Sequence, residues 1–157
     1  MKKIILISAI VLVAVYFGFA QNKSVPIYNL VETIHNSDKI LESAFKNRDH
    51  NLQVEGQGVV IKILPDDLAG TRHQRFIVRL SSGQTLLIAH NIDLAPRVIS
   101  LRKGDKVFFY GVYEWNSKGG TIHWTHHDPA GRHTAGWIKH NGKKYQYPCN
   151  NCSQQSL

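Results

Sequence analysis

No G-x-S-x-G elbow, P-loop, dinucleotide-binding glycine turn or H-E-x-x-H helix occurs in this chain, so the sequence marks of several large enzyme classes are missing. Cysteine is scarce: there are two residues, Cys149 and Cys152, both close to the C-terminus. A cysteine–histidine protease is therefore not expected. With no cysteine near the N-terminus, neither is a lipoprotein. Acidic residues are few, 11 Asp and Glu against 19 Lys and Arg, giving a formal charge of +8. That balance favours a polyanionic partner such as nucleic acid, an anionic glycan or a lipid surface, and it also keeps a protein soluble.

What is present begins with an export pattern. Lys2 and Lys3 precede an apolar run from Ile4 to Phe19, Gly18 and Ala20 supply small residues for cleavage after Ala20, and polar Gln21-Asn22-Lys23-Ser24 follows. Residues 1–20 are predicted to be a signal peptide, and the chain to be exported, periplasmic or secreted. Membrane attachment is expected only if that segment stays uncleaved. In an oxidising compartment Cys149 and Cys152 are expected to form a local disulfide. Ser153 stands where c-type haem attachment needs histidine, and the motif does not open a helix as a thioredoxin site does. Two ligands of a zinc site are the alternative.

The remainder reads as one domain, mainly β with an N-terminal helix. Leu30, Val31, Ile34, Leu41, Ala44 and Phe45 recur at near-helical spacing from Asn29 to about Asp49, within a helical segment over 21–50. Asn29 with Glu32 resembles a capping box, and Asn36-Ser37-Asp38 is a weak patch at which the helix is expected to split. Five strands follow, at about Gln53–Leu64, Arg75–Leu80, Thr85–His90, Asp105–Trp115 and Thr121–His126. Gly56 and Gly58 mark a bend in the first. A connection over Asp93–Leu101 has room for one helical turn before Pro96 limits it. Asn141-Gly142 is a strong hairpin signal between Gly136–His140 and Lys143–Tyr147. A long bent strand, a hairpin, a connection and a second hairpin is the order of a small five-stranded OB-like barrel, here with an added C-terminal hairpin. Its span is 51–148, with 149–157 a C-x-x-C tail.

Two sets of residues carry candidate chemistry. Alternation on the second strand puts Phe76, Val78 and Leu80 inside and Arg75 and Arg79 outside, on the surface that OB folds use for oligonucleotides or oligosaccharides. Arg72, His73, Arg97, Arg102 and Lys103 flank it, while Tyr110, Tyr113, Trp115 and Trp124 offer aromatic faces. The second set is His123, His126, His127, Asp128 and His133, with His90 and His73 as further members: ligand types for zinc or another divalent metal that could activate water. His126, His127, Asp128 and Glu114 are the catalytic candidates. All of the cluster converges only if the strand stops near Thr125 and the loop folds back. Otherwise Asp128 orients a histidine in a hydrogen-bonded loop, with Trp124 and Trp137 packed beneath.

The blocks Gly56-Gln57-Gly58, Arg72-His73-Gln74-Arg75-Phe76, His90-Asn91-Ile92-Asp93-Leu94-Ala95-Pro96-Arg97, Gly111-Val112-Tyr113-Glu114-Trp115-Asn116 and His123-Trp124-Thr125-His126-His127-Asp128-Pro129 together resemble a small, uncharacterised family of exported proteobacterial proteins, a domain of unknown function. The resemblance covers about residues 50–147. It implies export and a compact β domain and carries no catalytic residues over. An architectural likeness to secreted nucleases of the staphylococcal type places Arg75, Asp93 and Arg97 in loosely comparable regions, without the acidic ligand motif. The expected function is binding of a polyanion, with nucleic acid as the first candidate. The alternatives are a metal-dependent nuclease or phosphodiesterase, and a structural envelope component.

Overall fold

The computed structural model describes residues 27–146. The expected signal peptide, residues 21–26 and the Cys149/Cys152 tail lie outside the described residues. Every contact below lies within one compact unit that begins at Thr33.

Helix α1 spans Ile27–Asn47 without the expected split at Asn36-Ser37-Asp38. Asp38 is instead a docking residue. Its carboxylate is buried and accepts from the Ser81 hydroxyl and, at 3.0 Å, from the Ser82 amide, so a helix-interior acid holds the turn after the second strand. Leu41 and Ala44 follow at helical spacing and are buried against the barrel. The helix ends where Arg48 adopts a positive φ of 60° and the Asp49 amide donates back to the Ala44 carbonyl at 2.9 Å.

Seven strands follow: β1 (Leu52–Ile63), β2 (His73–Arg79), β3 (Thr85–Asn91), β4 (Lys106–Glu114), β5 (Thr121–His123), β6 (Trp137–His140) and β7 (Lys143–Tyr145). The order β1-β2-β3-β5-β4 closes on itself through a β1–β4 pairing, with only β3 and β5 parallel. That is the predicted five-stranded OB-like barrel. β1 serves both neighbours: Leu52 to Val59 pair with β4, and Val59 to Ile63 with β2 through a bulge between Val60 and Lys62. Gly56 permits the curl, because a Cβ there would lie 2.6 Å from the Phe109 ring. Alternation fills the interior with Val54, Val60, Phe76, Val78, Leu86, Ile88, Val107, Phe109 and Ile122.

The connection after β3 contains one hydrogen-bonded turn, closed from the Ala95 amide to the Asn91 carbonyl at 3.1 Å. β6 and β7 form the expected hairpin, with Asn141 and Gly142 both at positive φ (48° and 77°), as its two-residue turn requires. β5 is shorter than expected. It stops at His123, and β6 then takes over the edge of β4 from Tyr110 to Val107. The hairpin thus prolongs the barrel wall. Among the described residues no helix is long and apolar enough to cross a membrane.

Candidate functional site

Outward-facing residues of β2 are His73, Arg75, Ile77 and Arg79, as alternation required. The predicted cationic set, however, does not act together. Arg72 donates from Nε to Asp93 at 2.6 Å and from its amide at 2.7 Å, and these bonds, the backbone one foremost, lower the Asp93 pKa. Arg97 is paired with Asp66. Arg75 donates to the Pro65 carbonyl at 3.1 Å and lies 3.8 Å from Asp67. Arg79 alone of the four is exposed with no acidic partner among the described residues. In register with it stand Thr85 on β3 and Val59 on β1, and Val59 is matched on its other side by Lys106 of β4. Arg79 and Lys106 thereby flank a groove of about 440 Å³ whose lining includes Gln57, Val59, Ile61 and Ser81. Val59 on its floor is 41 % exposed. A second hollow of about 470 Å³, lined in part by Ile77, Leu87, Asn116 and Lys118, lies between the outer face of β2–β3 and the β4–β5 turn.

The aromatic expectations need one correction. Tyr113 points into the barrel, 0 % exposed, and its hydroxyl donates to the Gly119 carbonyl at 3.3 Å, so it offers no face to a ligand. Alternation on β4 sends odd-numbered positions 107, 109 and 113 inward and leaves Lys106, Phe108 and Tyr110 outside. Trp115 is engaged by the helix: its indole N–H donates to the Phe45 carbonyl at 3.1 Å, satisfying a helix-end acceptor, and its ring meets both the Phe45 ring and the Arg48 guanidinium. Tyr110 is half-buried with its ring centroid 6.1 Å from that of Trp137. Phe108, Trp137, Lys106, Lys139 and Lys144 did not emerge from the sequence as one surface. The alternation of Lys-Val-Phe-Phe-Tyr was the signal, and the β4–β6 pairing that completes it was not.

The strand stops at His123 and the histidine loop folds back, bringing three of the cluster's imidazoles, though not Asp128, around Trp124. Trp124 adopts a positive φ of 52°, a conformation costly for a bulky side chain, and this ends β5. Around its indole gather His133, stacked at 3.8 Å, His126 at 5.2 Å and His123 at 6.2 Å between centroids. His126 is buried and its Nδ1 donates to the His127 carbonyl at 2.7 Å. A carbonyl only accepts, so Nε2 keeps the lone pair. Burial lowers the His126 pKa, holding the ring neutral. His123 is likewise lowered by burial, opposed by Glu114. Its Nε2 stands 3.7 Å from the Glu114 carboxylate, beyond hydrogen-bond reach, and has no hydrogen-bond partner among the described residues. Glu114 itself is fixed by His50 at 2.7 Å and the Asn51 amide at 3.2 Å.

Asp128 and His90 build the loop. The Asp128 carboxylate accepts from the amides of Ala130 (3.0 Å), Arg132 (2.8 Å) and His133 (3.1 Å), which lower its pKa, the Ala130 bond most. His90 is fully buried. Its Nε2 donates to the Pro96 carbonyl at 3.1 Å, so Nδ1 accepts from the Thr125 hydroxyl at 2.8 Å, and burial pushes its pKa down to about 4. Among the described residues no three His, Cys, Asp or Glu side chains are grouped to hold a metal ion.

Residues 25–146 match the model of a family described as a protein of unknown function, DUF3465. The chain belongs to this family. The matched region ends next to the last residue of β7, so the family unit takes in the barrel and the added hairpin together. No curated protein matches the chain.

Proposed function

We propose that this protein is an OB-like module that binds a polyanion, with nucleic acid the ligand, and that phosphates sit across the row Arg79–Val59–Lys106. One observation carries this reading: Arg79 and Lys106 border a common groove with no carboxylate among the described residues to neutralise them, whereas Arg72 and Arg97 are each matched to an aspartate. A cation already paired inside the fold must lose that partner before it can hold a phosphate. An unpaired one releases only counterions. If residues 1–20 direct export, the ligand is extracellular or periplasmic nucleic acid.

The test is fluorescence anisotropy with a labelled oligonucleotide over a salt series. Binding should weaken steeply as salt rises, and Arg79→Ala and Lys106→Ala should each reduce the salt slope by about one. Absence of binding to single- or double-stranded DNA or RNA at low salt removes the reading.

A second reading, phosphodiester hydrolysis at the histidine loop, has one observation in its favour. Trp124 in a strained conformation collects three imidazoles, one of which, His126, is neutral with an available Nε2. Cleavage of RNA or DNA that is lost in His126→Ala and survives in His133→Ala would support it, and chelator sensitivity would tell metal-assisted from metal-free chemistry.

A further inference from the structure

Lys106 is also the first of three outward positions on β4, followed by Phe108 and Tyr110 at two-residue spacing, each step about 7 Å. Register extends this line sideways. Tyr110 faces Trp137 on β6, and Phe108 faces Lys139, which in turn faces Lys144 on β7. Phe108, Tyr110 and Trp137 are each half-buried, with their polar neighbours Lys106, Lys139 and Lys144 exposed. The Tyr110 and Trp137 rings lie 6.1 Å apart, and the Lys144 ammonium sits 5.4 Å over the Trp137 ring. Among the described residues the one carboxylate in register with this surface is Glu55, opposite Tyr110 on β1.

We infer that this β4–β6–β7 face is a binding site for single-stranded nucleic acid, in which Trp137 and Tyr110 stack on bases while Lys106, Lys139 and Lys144 hold phosphates. The inference rests on the polyanion reading above and names its ligand class and its stacking surface. The alternation of flat aromatic and cation over two adjacent strands matches the alternation of base and phosphate in an unpaired strand. A duplex keeps its base faces stacked internally and presents only its phosphates here. Lys144 over Trp137 does not obstruct the site. An exposed cation–π contact is worth a few-fold in affinity at most, whereas a base stacked on an aromatic is worth roughly five- to 150-fold. Exchange of the ammonium for a base, with the ammonium passing to a phosphate, therefore favours the complex.

The full chain is titrated with a labelled oligo-dT strand, the same length of duplex DNA, and heparin. The single strand should bind at least tenfold more tightly than the duplex, and Trp137→Ala should weaken it about tenfold while leaving duplex affinity unchanged. Trp137→Phe, which keeps a stacking face, should retain most single-strand affinity. It also serves as the folded control if Trp137→Ala proves unstable. Equal affinity for single strand and duplex, equal losses for both in Trp137→Ala, or heparin binding as tight as the single strand overturns the inference and leaves the polyanion reading standing. Absence of binding to all three removes both.

Discussion

The outer surface of this barrel has two unlike sides. Around the N-terminal end of β2 and the loops beside it, polar groups are turned on one another: Arg72 on Asp93, Arg97 on Asp66, Asp128 on three amides of its own loop and, inside the fold, the buried His90 on Thr125 and Pro96. At the C-terminal end of β2 and along β4, β6 and β7 the cations Arg79, Lys106, Lys139 and Lys144 have no acidic partner among the described residues, and three half-buried aromatics lie beside them. The first side holds arginines that stand out in the sequence, yet each is matched by an acid, and what matters for a ligand is the charge the fold has left uncompensated.

The largest expected effect concerns the polar side. His90 has a pKa near 4 in the folded protein against 6.5 when unfolded, so between those values the unfolded chain binds the extra proton. Stability from this group is complete above pH 6.5 and is lost as pH falls toward 4, on the order of 3 kcal/mol. His123 and His126 are shifted in the same direction and add to the slope. Urea unfolding from pH 7 to pH 4 should record the fall, and His90→Gln should flatten it. A level profile in the unmodified chain would contradict the buried, neutral state assigned to this ring.

A smaller loss is expected at the junction of the two sides. Gly136 returns the histidine loop to β6, its amide donating to the His126 carbonyl at 2.9 Å. A Cβ there would stand 2.0 Å from the Trp124 carbonyl oxygen and 2.4 Å from that of Tyr110, both backbone atoms that a rotamer change cannot move. Gly136→Ala should cost about 2 kcal/mol by overpacking. It should also disturb both the indole stack on His133 and the Tyr110–Trp137 pair. Thermal melting and single-strand affinity falling together would tie the two sides to this joint. A drop in stability with unchanged affinity would show that they are independent.

Much of the barrel was legible because its signals are local. Gly56 and Gly58 announce a curled first strand, alternation on β2 fixes which residues enter the core, and Asn141-Gly142 marks its hairpin. The site was legible in composition and poorly in arrangement. No periodicity foretells that Trp124 takes a positive φ, and without that turn His123 and His126 remain on opposite faces of a strand. Nor does the sequence show that Arg72 meets an acid 21 positions away and Arg97 one 31 positions away. Tyr113 was misplaced for a simpler reason: the alternation that sorted β2 applies equally to β4 and puts Tyr113 inward with Val107 and Phe109.

The smallest expected effect bears most directly on the comparison. Arg97→Ala removes a surface ion pair whose arginine is about half exposed, so stability should change by about 0–1 kcal/mol. Because that charge is already matched by Asp66, nucleic-acid affinity and its salt slope should barely move. Lys139→Ala should do the reverse, leaving the melting temperature nearly unchanged, since an exposed lysine without a partner contributes little to folding, while reducing the salt slope by about one. The two variants remove the same formal charge from the same small protein, so a general field effect would weaken binding equally in both. Equal losses would mean that net charge, not pairing, governs the interaction. Unequal losses in the stated direction would locate the ligand on the β4–β6–β7 side.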